Sequence, residues 1–269
     1  MNFKSEAGNF WDIVKSLDKK VLTVFFSVAV LQTVSWYYTS GRFYETAFAG
    51  SSLVLPVEGT AAPEAELNRF LYWFLGDFGL LFILPLLIIR FFFREKISFY
   101  GLKWGDYSFG VTITAFALIV MLIIVWFISA LPSFSQSYPT LFSARDNWRV
   151  FFLFEGALIL YMLAWEFIWR GYMLFALEEK FSYYTVLVQM LPFVILHNGK
   201  PVLETFGAIL GGVILGILAL RTRSVFYGII IHFAALFSMD LISILRYRSG
   251  EYGTGLSSLL NIIRNFTGG

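Results

Sequence analysis

Val111–Leu131 carries no charged residue, and that run alone closes most of the folds open to a chain of this length. A helix rising about 1.5 Å per residue crosses the hydrocarbon of a bilayer in about 20 apolar residues. Comparable runs cover Val21–Tyr38, Phe70–Phe93, Phe151–Leu177, Phe206–Leu220 and Val225–Leu245. Tyr183–His197 is shorter, and Leu256–Phe266 reads as a partial or interfacial helix. Of the 269 residues, 58% are hydrophobic and only 14% charged, more apolar surface than a soluble domain of this size can hide. The expectation is therefore an all-α, polytopic transmembrane helical bundle of about seven to eight spans, forming one membrane domain over residues 1–269.

Other classes fall away on composition. The chain has no cysteine, which excludes disulfides, thiolate nucleophiles and Cys-ligated metals. Its net charge of +2 does not argue for nucleic acid, and the bilayer is its expected partner. Residues 1–20 form an amphipathic lead-in, with Phe10, Trp11, Ile13, Val14 and Leu17 among charges. Ala47-Phe48-Ala49 resembles a signal-peptidase site, but Arg42 and Glu45 separate it from the apolar run, so Val21–Tyr38 reads as a retained helix. The next loop is acidic and contains Pro56 and Pro63. Lysines before the first span, together with Arg94, Lys96 and Lys103, place the N-terminus in the cytoplasm by the positive-inside rule.

Ionisable residues inside a bilayer are costly and mark functional sites by default. The second half of this chain concentrates them. Glu166 and Arg170 lie one turn apart and share a helix face. The only two histidines, His197 and His232, fall in or at the end of apolar runs. Asp240 follows His232 by two turns on the same face, and Glu204 opens the sixth run after an Asn198-Gly199-Lys200-Pro201 break. Each has a structural reading too: an ion pair between helices, an interhelical hydrogen bond, a helix-dipole partner. Asp77 and Arg90 on the second run read as interfacial or snorkelling. By helical rise, His232, Glu166 and His197 lie roughly 10, 16 and 21 Å from one face, close enough to share a buried site. A carboxylate beside two histidines, with no Ser or Cys nucleophile, points to general-base activation of water. Zinc held by His197, His232 and Glu166 is the weaker alternative, because no HExxH spacing is present.

Glu166-x-x-x-Arg170-Gly171, Phe193-x-x-x-His197 and the late His232, in that order, resemble the CPBP family of CAAX-prenyl and bacteriocin-processing (Abi) intramembrane proteases. The likeness covers about 150–245, leaving 1–145 as accessory N-terminal spans and the catalytic core in the last four spans. It implies a glutamate-based intramembrane endopeptidase needing no cofactor, acting on a membrane-anchored peptide, protein or prenylated tail. It also implies a prokaryotic plasma membrane, with Glu166, Arg170, His197 and His232 in the catalytic site. Two departures matter. The family's first motif has two adjacent glutamates, where this chain has Trp165-Glu166, and its third has Asn where Leu236 stands. Either Glu166 takes over as base, with Glu204 or Asp240 supplying the lost polar contact near Trp165, or the chain is an inactive pseudoprotease that binds membrane segments. A transporter would show repeated halves with paired discontinuous helices, and none is visible.

Overall fold

A computed structural model describes residues 3–48 and 63–267, and the loop carrying Pro56 lies outside the described residues. The chain is helical throughout these residues, with no strand among them. An amphipathic α1 (Phe3–Ser16) leads into α2 (Lys19–Val34), whose first turn Asp18 caps by accepting from the Lys20 and Val21 N–H groups. A π-helical turn (Ser35–Thr39) extends α2 before the short α3 (Gly41–Ala47). Next come α4 (Pro63–Asp77) and α5 (Leu84–Leu87), joined into one long span by π-helical segments. Then follow α6 (Tyr107–Ile128), α7 (Pro132–Ser137), α8 (Trp148–Glu166), a π-helical stretch (Phe167–Met173) and α9 (Leu174–Phe181). The chain ends with α10 (Thr185–Ile195), α11 (Val202–Thr222), α12 (Phe226–Ser249) and α13 (Leu256–Thr267).

Among the described residues, 6 helical segments are long and apolar enough to cross a membrane, fewer than the seven to eight expected. The difference has two sources. The run at Tyr183–His197 forms only the 11-residue α10, which follows α8 and α9 within the single segment Trp148–Ile195. An 11-residue helix is roughly 17 Å long, about half a bilayer. The last run forms the 12-residue α13, amphipathic and largely exposed, as an interfacial helix would be.

The middle of the bundle is the α8–α9 rod. Every residue from Ala164 to Leu177 is buried, so neighbours surround this stretch on all faces, and Glu166 and Arg170 are its only charged residues. In contrast, α6 turns Phe116, Ile119, Ile123 and Phe127 outward, as a lipid-facing helix should. Lipid tails are as apolar as Leu, so close approach at small residues, rather than hydrophobic burial, drives packing between such helices. The structure shows where. At Gly110 of α6 an added Cβ would lie 2.2 Å from the Tyr227 ring of α12. At Gly212 and Gly216 of α11 it would lie 2.8 Å from the Met190 and Gln189 side chains of α10. Gln189 is fully buried and donates to the Gly212 carbonyl, stitching the short helix to α11. Along α4 and α8, Phe74 stacks on Tyr161 and Phe70 meets Phe154 edge-on, so the two helices run side by side in parallel.

One end of the bundle is tied by ion pairs between connections: Lys20–Glu95, Asp18–Lys180, Arg221–Asp106 and Arg223–Glu178. At the opposite end Arg246, fully buried, donates to Ser129 Oγ and to the Trp126, Glu251 and Gly253 carbonyls.

Candidate active site

The π-helical stretch after Glu166 widens the central helix at the point where its polar residues fall. Single π turns inside α-helices recur at functional sites. Glu166 and Arg170 are 0% and 1% exposed, and Arg170 Nη1 donates to Glu166 Oε1 at 3.1 Å. The same Oε1 meets His232 Nδ1 at 2.7 Å. A carboxylate can only accept there, so His232 carries its proton on Nδ1 and turns Nε2 away from Glu166. Glu166 Oε2 lies against Gly228, where an added Cβ would be 3.1 Å away. Glycine at 228 is what lets α12 come this close to the carboxylate.

His197 sits just past α10. Its Nδ1 lies 2.7 Å from the Phe193 carbonyl, so it donates and leaves Nε2 as the free acceptor. Phe193 organises the cluster. Its ring is 4.4 Å from the His197 ring and 6.2 Å from the His232 ring, and the Arg170 guanidinium stacks 3.9 Å over it. Trp165 lies 6.2 Å from His197 and 5.9 Å from Tyr161. Trp165 is roughly 26 Å along α8 from Trp148 by helical rise, so the turn after α10 lies at membrane depth. Backbone of that kind is tolerated there where protein covers it or water reaches it. Tyr138, from the connection after α7, supplies cover and donates to Glu204 Oε2 at 2.8 Å.

A cavity of about 630 Å³ adjoins the cluster. His197, His232, Trp165 and Leu236 are on its wall, as are Glu204, Lys200, Arg42 and Arg69. Glu166 is not on the wall, and His232 stands between it and the cavity. The structure thus brings together Glu166, Arg170, His197, His232 and Trp165, with Glu204 alongside. Asp240 is elsewhere. Buried at 1% exposure, it accepts from the Thr140 N–H at 2.6 Å and faces Glu155, two turns beyond His232. It reaches the cavity only through Thr140.

The zinc alternative does not fit this geometry. Among the described residues no group of three or more His, Asp or Glu side chains could hold a metal ion. Glu166 Oε1 and His232 Nδ1 face each other rather than a common centre.

Residues 146–237 match the family model described as type II CAAX prenyl endopeptidase, Rce1-like. The similarity to the Rce1-like model is confined to this region, about a third of the chain. No curated protein and no solved structure matches the chain. The Rce1-like region takes in α8 to α11 and α12 through Phe237, hence Glu166, Arg170, His197 and His232, and stops short of Asp240.

The cavity also reaches residues that sequence reasoning passed over. Asp77, expected to be interfacial or snorkelling, is instead 1% exposed and lines the cavity with Gln32 and Ser35. The one signal available was a charge inside an apolar run. Gly228 left no signal at all, since only the approach of Glu166 gives it a role.

Proposed function

We propose that this chain is an intramembrane endopeptidase that hydrolyses a peptide bond in a membrane-anchored protein or prenylated tail. The observation that carries the reading is the Glu166–His232 contact at 2.7 Å, a carboxylate held out of the cavity behind an imidazole on its wall. His232 Nε2 takes a proton from water as the water oxygen attacks the scissile carbonyl carbon. Glu166 holds Nδ1–H and balances the imidazolium charge, and Arg170 keeps Glu166 ionised and fixed. Collapse of the tetrahedral intermediate breaks the C–N bond, and the proton passes from Nε2 to the leaving amine. His197, its ring fixed by the Phe193 carbonyl, accepts a hydrogen bond from the attacking water through Nε2. The catalytic carboxylate therefore acts through His232 and does not touch water itself.

Lys20, Glu95 and the other ion-paired connections share one end of the bundle. With that end cytoplasmic by the positive-inside rule, Arg42, on the cavity wall past the end of α2, lies toward the other face.

The test is cleavage of membrane-anchored peptides in nanodiscs by wild type, His232→Gln and Glu166→Gln, each assayed well below its melting temperature. Removing a general base costs about 10²–10⁴ in rate. Undiminished cleavage by His232→Gln sinks the mechanism. A second reading rests on Trp165 and Leu236, two apolar side chains on the wall beside the histidines. It makes the chain a pseudoprotease that holds membrane segments. In that case wild type binds the peptides and releases them intact.

A further inference from the structure

At the end of α4, outside the Rce1-like region, Asp77 lines the cavity and is 1% exposed. Its Oδ1 accepts from Thr39 Oγ1 at 2.5 Å and its Oδ2 from Trp73 Nε1 at 2.8 Å. Both donors are neutral. Among the described residues no Lys, Arg or His forms an ion pair with it, whereas Glu166 has Arg170 and His232; Asp240 and Glu155 also lack a cation but are not on the cavity wall. The Ser35 hydroxyl beside it is neutral too, and a carboxylate in a membrane interior is costly without a compensating cation. What surrounds Asp77 suits a cation. Trp73, Tyr161 and Trp165 line the same cavity, with Tyr161 stacked between Phe74 and Trp165. Aromatic faces around a carboxylate attract ammonium groups and cover their methylenes.

We propose that this end of the cavity is an alkylammonium subsite, in which Asp77 pairs with the ammonium and Trp73, Tyr161 and Trp165 enclose the chain that carries it. A lysine side chain of a bound peptide and an ethanolamine lipid headgroup both present that chemistry. The subsite is independent of whether the histidines cleave anything. The competing account makes Asp77 a tie between α4 and the end of α2 through Thr39, where Gly76 lets the two helices close. A tie is indifferent to the charge of a ligand.

The experiment uses the full chain in phosphatidylglycerol nanodiscs, which contain no amine. It titrates n-butylammonium and, separately, 1-butanol, following tryptophan fluorescence. Butylammonium is expected to bind at least about tenfold more tightly than butanol. That preference disappears in Asp77→Asn and survives in Thr39→Val with Ser35→Ala, which cuts the tie and keeps the carboxylate. Equal binding of the two probes by wild type overturns the proposal, and so does a preference that persists in Asp77→Asn. Wild type alone decides the first point, even if a variant does not fold. Repetition in phosphatidylethanolamine nanodiscs identifies the source. A preference lost there assigns the subsite to the headgroup, and one retained assigns it to a lysine side chain.

Discussion

Glu166→Gln isolates the energetics at the centre of the bundle. In the native chain Glu166 Oε1 accepts from Arg170 at 3.1 Å and from His232 at 2.7 Å, and both members of the arginine pair are at most 1% exposed. Water does not screen this pair, so the small values typical of surface ion pairs do not apply. Glutamine keeps the volume and one acceptor but removes the charge, leaving the Arg170 guanidinium buried and uncompensated. Breaking a buried pair on one side costs about 3–5 kcal/mol. At about 2–4 °C per kcal/mol for a chain near this size, the apparent melting temperature falls by about 6–20 °C. Replacing both partners with apolar residues, Glu166→Leu with Arg170→Met, removes the charge along with its counter-charge. The double variant still leaves His232 Nδ1 without its acceptor, at about 1–3 kcal/mol. It should therefore recover about half of the single-variant loss. The assay is tryptophan-fluorescence melting of wild type, Glu166→Gln, the singles Glu166→Leu and Arg170→Met, and the double variant in identical nanodiscs. If Glu166→Gln melts within about 1 °C of wild type, the buried ion pair does not stabilise the fold. If the double variant falls by the sum of the singles, the two residues are not coupled.

Three further outcomes follow from the packing and the connections. Gly110→Val should disrupt the α6–α12 contact, because even a Cβ would lie 2.2 Å from the Tyr227 ring; a large loss of folded yield, read by size-exclusion chromatography, checks it. Arg246→Ala should be far more destabilising than Arg248→Ala in thermal melting, since Arg246 is fully buried and fills three carbonyls and a hydroxyl, whereas the Arg248 hydrogen bond is exposed. Acid should loosen the ion-paired connections at the Glu95 and Asp106 end. Burial raises the Glu95 carboxyl, but hydrogen bonds from Lys20 and Tyr100 outweigh it and hold it below its usual value, while the Arg221 guanidinium and the Phe109 N–H lower Asp106. A depressed carboxyl contributes stability that is complete above its unfolded value, about 4, and is lost as pH falls through the folded one. Melting temperature should then be flat from about pH 7 to 5 and drop below about 4, with a shallower drop in Asp106→Asn.

Apolar run length, set by bilayer thickness, made the helical class and most of the spans legible in the sequence. Length alone could not say whether the run ending at His197 was a span. That depended on Thr185–Ile195 being only half a bilayer long and on Gln189 and the α11 glycines seating it against a neighbour. The i, i+4 spacing of Glu166 and Arg170 fixes their pairing within one helix, so it too could be read directly. The contact between Glu166 and His232 spans 66 residues of sequence and needs Gly228 to let the helices meet, and no periodicity encodes that. The same limit applies to Asp77 and Asp240. Sequence identifies each as a charge within an apolar run, and that constrains cost but not direction. Only the parallel packing of α4 on α8 turns Asp77 toward the cavity, and only the connection bearing Thr140 draws Asp240 away from the histidines. A membrane chain writes its spans locally because lipid imposes the same demand on every helix, whereas the site depends on which faces meet, and that is decided between helices.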